Sequence, residues 1–173
     1  MIIRVMGSIA VLAACGGFGF YFGGEIERRI RLLRQLRSSV LVLRGDVRYL
    51  RSSLPEAFEA AAAREQGELS MFFSGLAEQL NGRLAQSPEE AFRNASQKAL
   101  SDTALRQQDI AMLIRLGSML GQMDADMQQN AFDWYLEQLK ELTETLCAEE
   151  KKHVTLSKSL GILAGIFLLV ILL

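Results

Sequence analysis

The sequence predicts an all-α protein, a six-helix bundle whose long first and last helices extend into a membrane. Three observations carry this. β-branched residues are few among long runs of Leu, Ala, Glu, Arg and Gln, which favours helix over strand. Apolar residues recur in alternating steps of three and four along most of the chain. The two ends are apolar, whereas the middle is charged. The expected organisation is an N-terminal transmembrane helix at 1–24, a cytoplasmic helical bundle at 25–158 and a C-terminal transmembrane helix at 159–173.

Val5 to Gly24 carries no charge and follows Arg4. As a helix it measures about 30 Å, the thickness of a bilayer core. A signal peptide is the rival reading. Against it, no cleavage site precedes a mature-looking start, and the helical pattern continues through Gly23-Gly24 into Glu25. Gly16, Gly17 and Gly19 suit close helix approach in lipid. The second run, Ser159 to Leu173, measures about 22 Å, short of a full span. Lys158 can snorkel to the interface and add a turn. A buried C-terminal core helix is the alternative. Arg28, Arg29, Arg31, Arg34 and Arg37 follow the first run, and Lys151, Lys152 and Lys158 precede the second. The positive-inside rule therefore places the middle in the cytoplasm, with Arg4 pulling weakly the other way.

The elements of the middle follow in order. Ile26, Ile30, Leu33, Leu36, Val40, Leu43, Val47 and Leu50 extend the first helix for seven turns. Ser53-Leu54-Pro55-Glu56 opens a second helix, with Ser53 as N-cap and Glu56 at the capping-box position. It runs through Ala60 to Ala63 to about Gln66. A third helix spans Glu68 to Leu84, with Leu69, Phe72, Phe73, Leu76 and Leu80 inward. Ser87-Pro88-Glu89-Glu90 opens a fourth through Phe92, Ala95 and Leu100. A fifth covers about Gln107 to Leu120, carrying Ile110, Leu113, Ile114, Leu116 and Leu120, with Gly121 as its C-terminal cap. The last opens near Asp124, a natural N-cap. Its stripe, Tyr135, Leu139, Leu142, Leu146, Glu149, His153, Leu156 and Leu160, runs unbroken into the second apolar end.

The long helices are expected to lie antiparallel, since one leaves the membrane and the other returns. Their charges are opposite. Residues 25–51 hold eight Arg against three acids, and residues 124–150 hold eight acids against Lys140. Exposed pairs between them would set register more than stability. Two solvated faces that never meet are the alternative.

Composition excludes several function classes. Lys and Arg number 19 and Asp and Glu 20, without the positive surplus of a nucleic-acid binder. Two cysteines, Cys15 and Cys147, and one histidine, His153, support neither a disulfide framework nor a metal cluster. His153 lies on the helical stripe near the membrane, far from any triad. No phosphate-cradling GxxxxGK loop is present. Glu89-Glu90 and Glu149-Glu150 are sequence neighbours on different helix faces, so they form no carboxylate dyad. Phe132, Trp134 and Tyr135 are expected to fill the core between the long helices. No catalytic, cofactor-binding or metal-binding residue is predicted, and the chain reads as non-enzymatic.

The arginine run is the sharpest feature. Arg28, Arg29, Arg31, Arg34 and Arg37 cover several faces of one helix beside the bilayer. Anionic lipid headgroups would hold such a cluster at about 1 kcal/mol per residue. The alternative is docking of an acidic partner protein.

These residues resemble the stage III sporulation protein AB family over essentially the whole chain. The resemblance rests on the Gly-rich apolar start, Glu27-Arg28-Arg29, and Leu33-Arg34-Gln35-Leu36-Arg37. Leu54-Pro55-Glu56-Ala57-Phe58 and Ser87-Pro88-Glu89-Glu90-Ala91-Phe92 follow. Next come Leu116-Gly117-Ser118-Met119-Leu120-Gly121, Asp124, Gln128, Leu136 to Lys140 and the apolar tail. The chain departs at Gln122-Met123-Asp124, where the family pattern suggests a serine before the aspartate. The family is similar to the cytoplasmic helical domains of the type II secretion system F protein. The resemblance implies a platform in the mother-cell membrane around the forespore, its bundle facing the cytoplasm, in a secretion-like channel between the two cells. It implies a secretion-type ATPase, stage III sporulation protein AA, as neighbour, beside other membrane proteins of the channel and the lipid bilayer. A homo-oligomer is compatible with it, and a structural membrane clamp without ATPase contact is the alternative function.

Overall fold

The computed structural model describes the backbone of residues 2–50, 52–121 and 125–172, and the side chains of residues 24–50, 52–121 and 127–150. Every regular element among them is an α-helix. In chain order they are α1 (Ile2–Tyr49), α2 (Leu54–Arg64), α3 (Gly67–Asn81), α4 (Pro88–Ala99), α5 (Gln107–Leu120) and α6 (Ala125–Leu172). The sequence predicts all six, with α1 and α6 each 48 residues long. Among the described residues no helix is long and apolar enough to cross a membrane. The expected membrane helices at 1–24 and 159–173, the Asp124 cap and the stripe from His153 onward fall outside the described side chains, Gly24 excepted. The chain divides into two compact units. One is Met1–Ile30 with Glu144–Leu173, and the other is Arg31–Thr143.

The second unit is organised by the helical stripes. Leu33, Leu36, Val40 and Leu43 of α1 are each no more than 2% exposed. Val47 is half-buried and Leu50 is exposed, because Leu50 lies beyond the last helical turn. On α6, Ala131, Phe132, Tyr135, Leu136 and Leu139 are buried. Trp134 is only half-buried, a departure from the expected core aromatic. Its ring lies 4.8 Å from the Arg115 guanidinium of α5, a cation–π contact at the rim of the core. The opposite charges of the long helices meet where Arg44 pairs with Asp133. Asp46 of α1 instead pairs with Arg64 of α2 at 2.8 Å, and Ser39 hydrogen-bonds Glu65.

The two proline-bearing motifs cap a helix and then place a phenylalanine inward. Ser53 N–H donates to Glu56 Oε2 at 2.9 Å, and that backbone bond holds the Glu56 carboxyl below its ordinary value. Glu90 N–H donates to Ser87 Oγ at 3.2 Å. The Glu90 carboxylate reaches Gln86 N–H at 2.7 Å, one residue beyond the expected partner. Five residues after each capping serine, Phe58 and Phe92 are buried and meet edge-to-face, with centroids 5.7 Å apart. Phe72 and Phe73 of α3 complete the cluster. Aromatic pairs in this geometry add to the area they bury, by about 0.5–1.5 kcal/mol each.

α3 ends three residues before the expected Leu84. Gly82 N–H donates to the Glu78 carbonyl, and Leu84 N–H donates to the Gln79 carbonyl at 3.0 Å. This closing pattern needs a left-handed residue between them, and Arg83 takes it with φ of 49°. The glycine stands one position too early. Leu80 is half-buried, and Ala77 fills the inward position instead. Arg83→Gly is therefore expected to stabilise the fold by about 1 kcal/mol, read as a higher urea midpoint at unchanged slope. Loss of stability would show that the Arg83 side chain matters more than its backbone strain.

α5 spans the expected Gln107–Leu120. Leu113, Leu116 and Leu120 are buried, while Ile110 and Ile114 are half-buried at the edge. Gly121 caps it in a right-handed conformation, so its lack of a side chain is not used for handedness. A Cβ there would lie 2.9 Å from the Pro88 ring. One turn earlier, a Cβ on Gly117 would lie 2.6 Å from the Phe92 ring. The two glycines let α5 press against the start of α4.

Candidate functional site

The outward face of α1 within the second unit follows from its buried one. With 33, 36, 40 and 43 inward, helical spacing turns 34, 37, 38, 41 and 48 outward. Arg31, Arg34, Arg37 and Arg48 are exposed there. Leu41 and Val42 are also exposed, at 45% and 43%, as is Tyr49 at 76%. The Arg48 guanidinium lies 5.4 Å from the Tyr49 ring centroid. Ser38 and Gly45 are the small residues between them, and nothing lies within 4 Å of a Cβ built on Gly45. The face is thus basic with an apolar centre. The sequence reading singled out the arginines and missed Leu41, Val42 and Tyr49. The signal for them is that large apolar residues stand off the stripe of Leu33, Leu36, Val40 and Leu43.

The five singled-out arginines differ in unit and in exposure. Arg28 and Arg29 belong to the first unit; Arg31, Arg34 and Arg37 belong to the second. Arg28 is exposed, but Arg29 is only 3% exposed. Arg29 stands four residues before Leu33, on the continuation of the apolar stripe, and that spacing is the signal that separates it from its neighbours. An arginine so placed contributes its apolar stem to packing as well as its charge.

Elsewhere the described residues hold few chemical features. No group of three or more His, Cys, Asp or Glu among them could hold a metal ion. Two buried polar groups stand out, Asp109 and Tyr135. Asp109 of α5 is 1% exposed, and its carboxylate accepts the Arg106 N–H at 2.8 Å. Tyr135 of α6 is fully buried, and its hydroxyl has no hydrogen-bond partner among the described residues. Burial, reinforced by the Asp109 charge, pushes its phenol well above the ordinary tyrosine value. The hydroxyl therefore stays protonated and acts as a desolvation cost. Tyr135→Phe is expected to leave stability unchanged or raise it by about 1–3 kcal/mol. A clear fall in melting temperature would instead show that the hydroxyl is satisfied in solution.

Comparison with known proteins decides the family. A profile of stage III sporulation protein AB matches residues 4–173. The chain belongs to the stage III sporulation protein AB family. It is similar to stage III sporulation protein AB of Bacillus subtilis (strain 168), with 25% identity over 170 residues, covering 98% of this chain and 99% of that one. It also resembles a solved structure of stage III sporulation protein AB, with a TM-score of 0.66 and 23% identity. That likeness covers 72% of this chain and 98% of the other, and it supports the all-helical fold. The resemblance drawn from the Leu-Pro-Glu-Ala-Phe and Ser-Pro-Glu-Glu-Ala-Phe motifs thus holds at the level of family. Their phenylalanines, Phe58 and Phe92, are core residues, so these motifs report fold rather than a reacting site.

Proposed function

We propose that this chain is a non-enzymatic membrane platform of a sporulation channel between mother cell and forespore. Residues 1–24 and 159–173 anchor it in the mother-cell membrane, and residues 25–158 face the cytoplasm. There the bundle docks a secretion-type ATPase, stage III sporulation protein AA, through the exposed Arg31 and Arg34 of α1. Membership in the family supports the sporulation role. The observation that carries docking is the pair Arg31 and Arg34, exposed on a helix whose opposite side is locked into the core. Exposed charges of one sign steer an oppositely charged partner to such a surface. The apolar, uncharged run from Val5 to Gly24 and the terminal run from Ser159 support the anchors.

The test is binding of the full chain, reconstituted in lipid nanodiscs, to the purified ATPase. Wild type is compared with Arg31→Glu/Arg34→Glu; Arg29 is left intact because it is buried. The expected result is about tenfold weaker binding or more, with unchanged helicity by circular dichroism and a shallower salt dependence. Unchanged binding would move the dock to the short helices. No binding by the wild type would favour a structural clamp without ATPase contact.

A further inference from the structure

The outward faces of α1 and α3 are complementary to one another. On α3, Leu69, Phe72, Phe73, Leu76 and Ala77 are buried, which turns Glu68, Met71, Ser74 and Glu78 to solvent. Met71 is 58% exposed, a large apolar side chain between two acids. Neither Glu68 nor Glu78 has an ion pair among the described residues. The α1 face is the opposite in charge and the same in plan. Arg37 and Arg48 stand at its two ends, Leu41 and Val42 near the middle, and Gly45 supplies the small position. Glu68 to Glu78 is ten residues of helix, about 15 Å; Arg37 to Arg48 is eleven, about 16 Å. Met71 follows Glu68 by three residues, and Leu41 follows Arg37 by four. Laid side by side in the same direction, the helices put each arginine against a glutamate and Leu41 against Met71.

We propose that the occupant of the α1 face between Arg37 and Arg48 is α3 of a second copy of this chain. The complementarity selects that occupant. Two α1 faces would set arginine against arginine, and two α3 faces glutamate against glutamate, whereas α1 on α3 pairs both ends and covers the exposed Leu41 and Met71 together. The methionine is suited to this, being flexible and polarizable enough to settle on a leucine–valine ridge. Gly45 and Ser74 keep side-chain bulk from holding the helices apart. Because the contact joins two different surfaces, one copy keeps a free acidic face and the other a free basic face after the first contact. Association then continues head to tail, as a ring if the rotation closes and as a filament if it does not. This inference does not depend on the ATPase, and its test contains this chain alone.

The test is sedimentation of the full chain in nonionic detergent at low salt, with two charge-reversed variants, Arg37→Glu/Arg48→Glu and Glu68→Arg/Glu78→Arg. All four positions are exposed, so helicity should match the wild type. The wild type is expected to self-associate. Each variant alone should associate at least about a hundredfold more weakly, since like charges now face each other. Mixing the two in equal amounts should restore association, because each variant again meets an opposite face. Three results would overturn the proposal: a wild type that remains monomeric up to about 100 μM, variants that associate as the wild type does, or a mixture that does not recover. Association through the apolar ends would survive both reversals and so gives the second of these.

Discussion

Phe92→Ala is expected to cost about 3–5 kcal/mol of stability. The ring is 2% exposed and stands edge-on to both Phe58 and Phe72, at 5.7 and 6.0 Å between centroids. It therefore joins three helices, α2, α3 and α4, and its other side faces Gly117 of α5. Removing it leaves a cavity that none of these neighbours can fill without leaving its own packing. A domain of this size has roughly 5–15 kcal/mol in total, so the variant would lose a large share. Urea unfolding checks this. The midpoint should fall with the slope unchanged. A loss below about 1 kcal/mol would mean that the four-phenylalanine cluster does not hold the short helices together.

Gly117→Ala is the second large effect, and its sign is opposite to what helix propensity gives. Within a helix, alanine is ordinarily better than glycine by about 1 kcal/mol. At 117 the added methyl would sit 2.6 Å from two ring carbons of Phe92, so α4 and α5 must part. A net loss of about 1–3 kcal/mol is expected. Gly45→Ala is the internal comparison. Nothing lies within 4 Å of its Cβ, and it should gain about 0.5–1 kcal/mol. The pair Gly117→Ala and Phe92→Leu tests the contact itself. Phe92→Leu should cost less in the alanine background than in the wild type, because the smaller side chain relieves the clash. Simple additivity would show that the two residues do not touch in solution.

The helices were legible where their signals are local. Ser53 and Ser87 with their prolines and glutamates mark the starts of α2 and α4, and periodicity with the Gly121 cap delimits α5 at Gln107–Leu120. Local signals failed where the decision is tertiary. α3 stops at Asn81 rather than the expected Leu84, because the left-handed residue that closes it is Arg83, a type that rarely takes this role. Gly117 and Gly121 look like ordinary helix and cap glycines until α4 is placed against them. Trp134 reads as core from its neighbours, yet it lies at the rim beneath Arg115. The candidate surface was half legible. Counting arginines found the basic segment, but it could not tell buried Arg29 from exposed Arg31, nor see that Leu41 and Val42 share the exposed face. Both distinctions come from the register of the Leu33, Leu36, Val40 and Leu43 stripe, which a count of charges does not use.

The functional reading stands on a bundle held at the cytoplasmic side of a membrane by both of its ends. Cysteine labelling measures this directly. Cys15 and Cys147 are replaced by alanine, and Ser101, exposed in the turn after α4, becomes the single probe as Ser101→Cys. In sporulating cells the chain should stay with the membrane pellet through alkaline carbonate. A membrane-impermeant maleimide should label Ser101→Cys only after the membrane is opened. Release of the chain by carbonate, or labelling of Ser101→Cys in intact cells, would contradict the placement on which the platform reading depends.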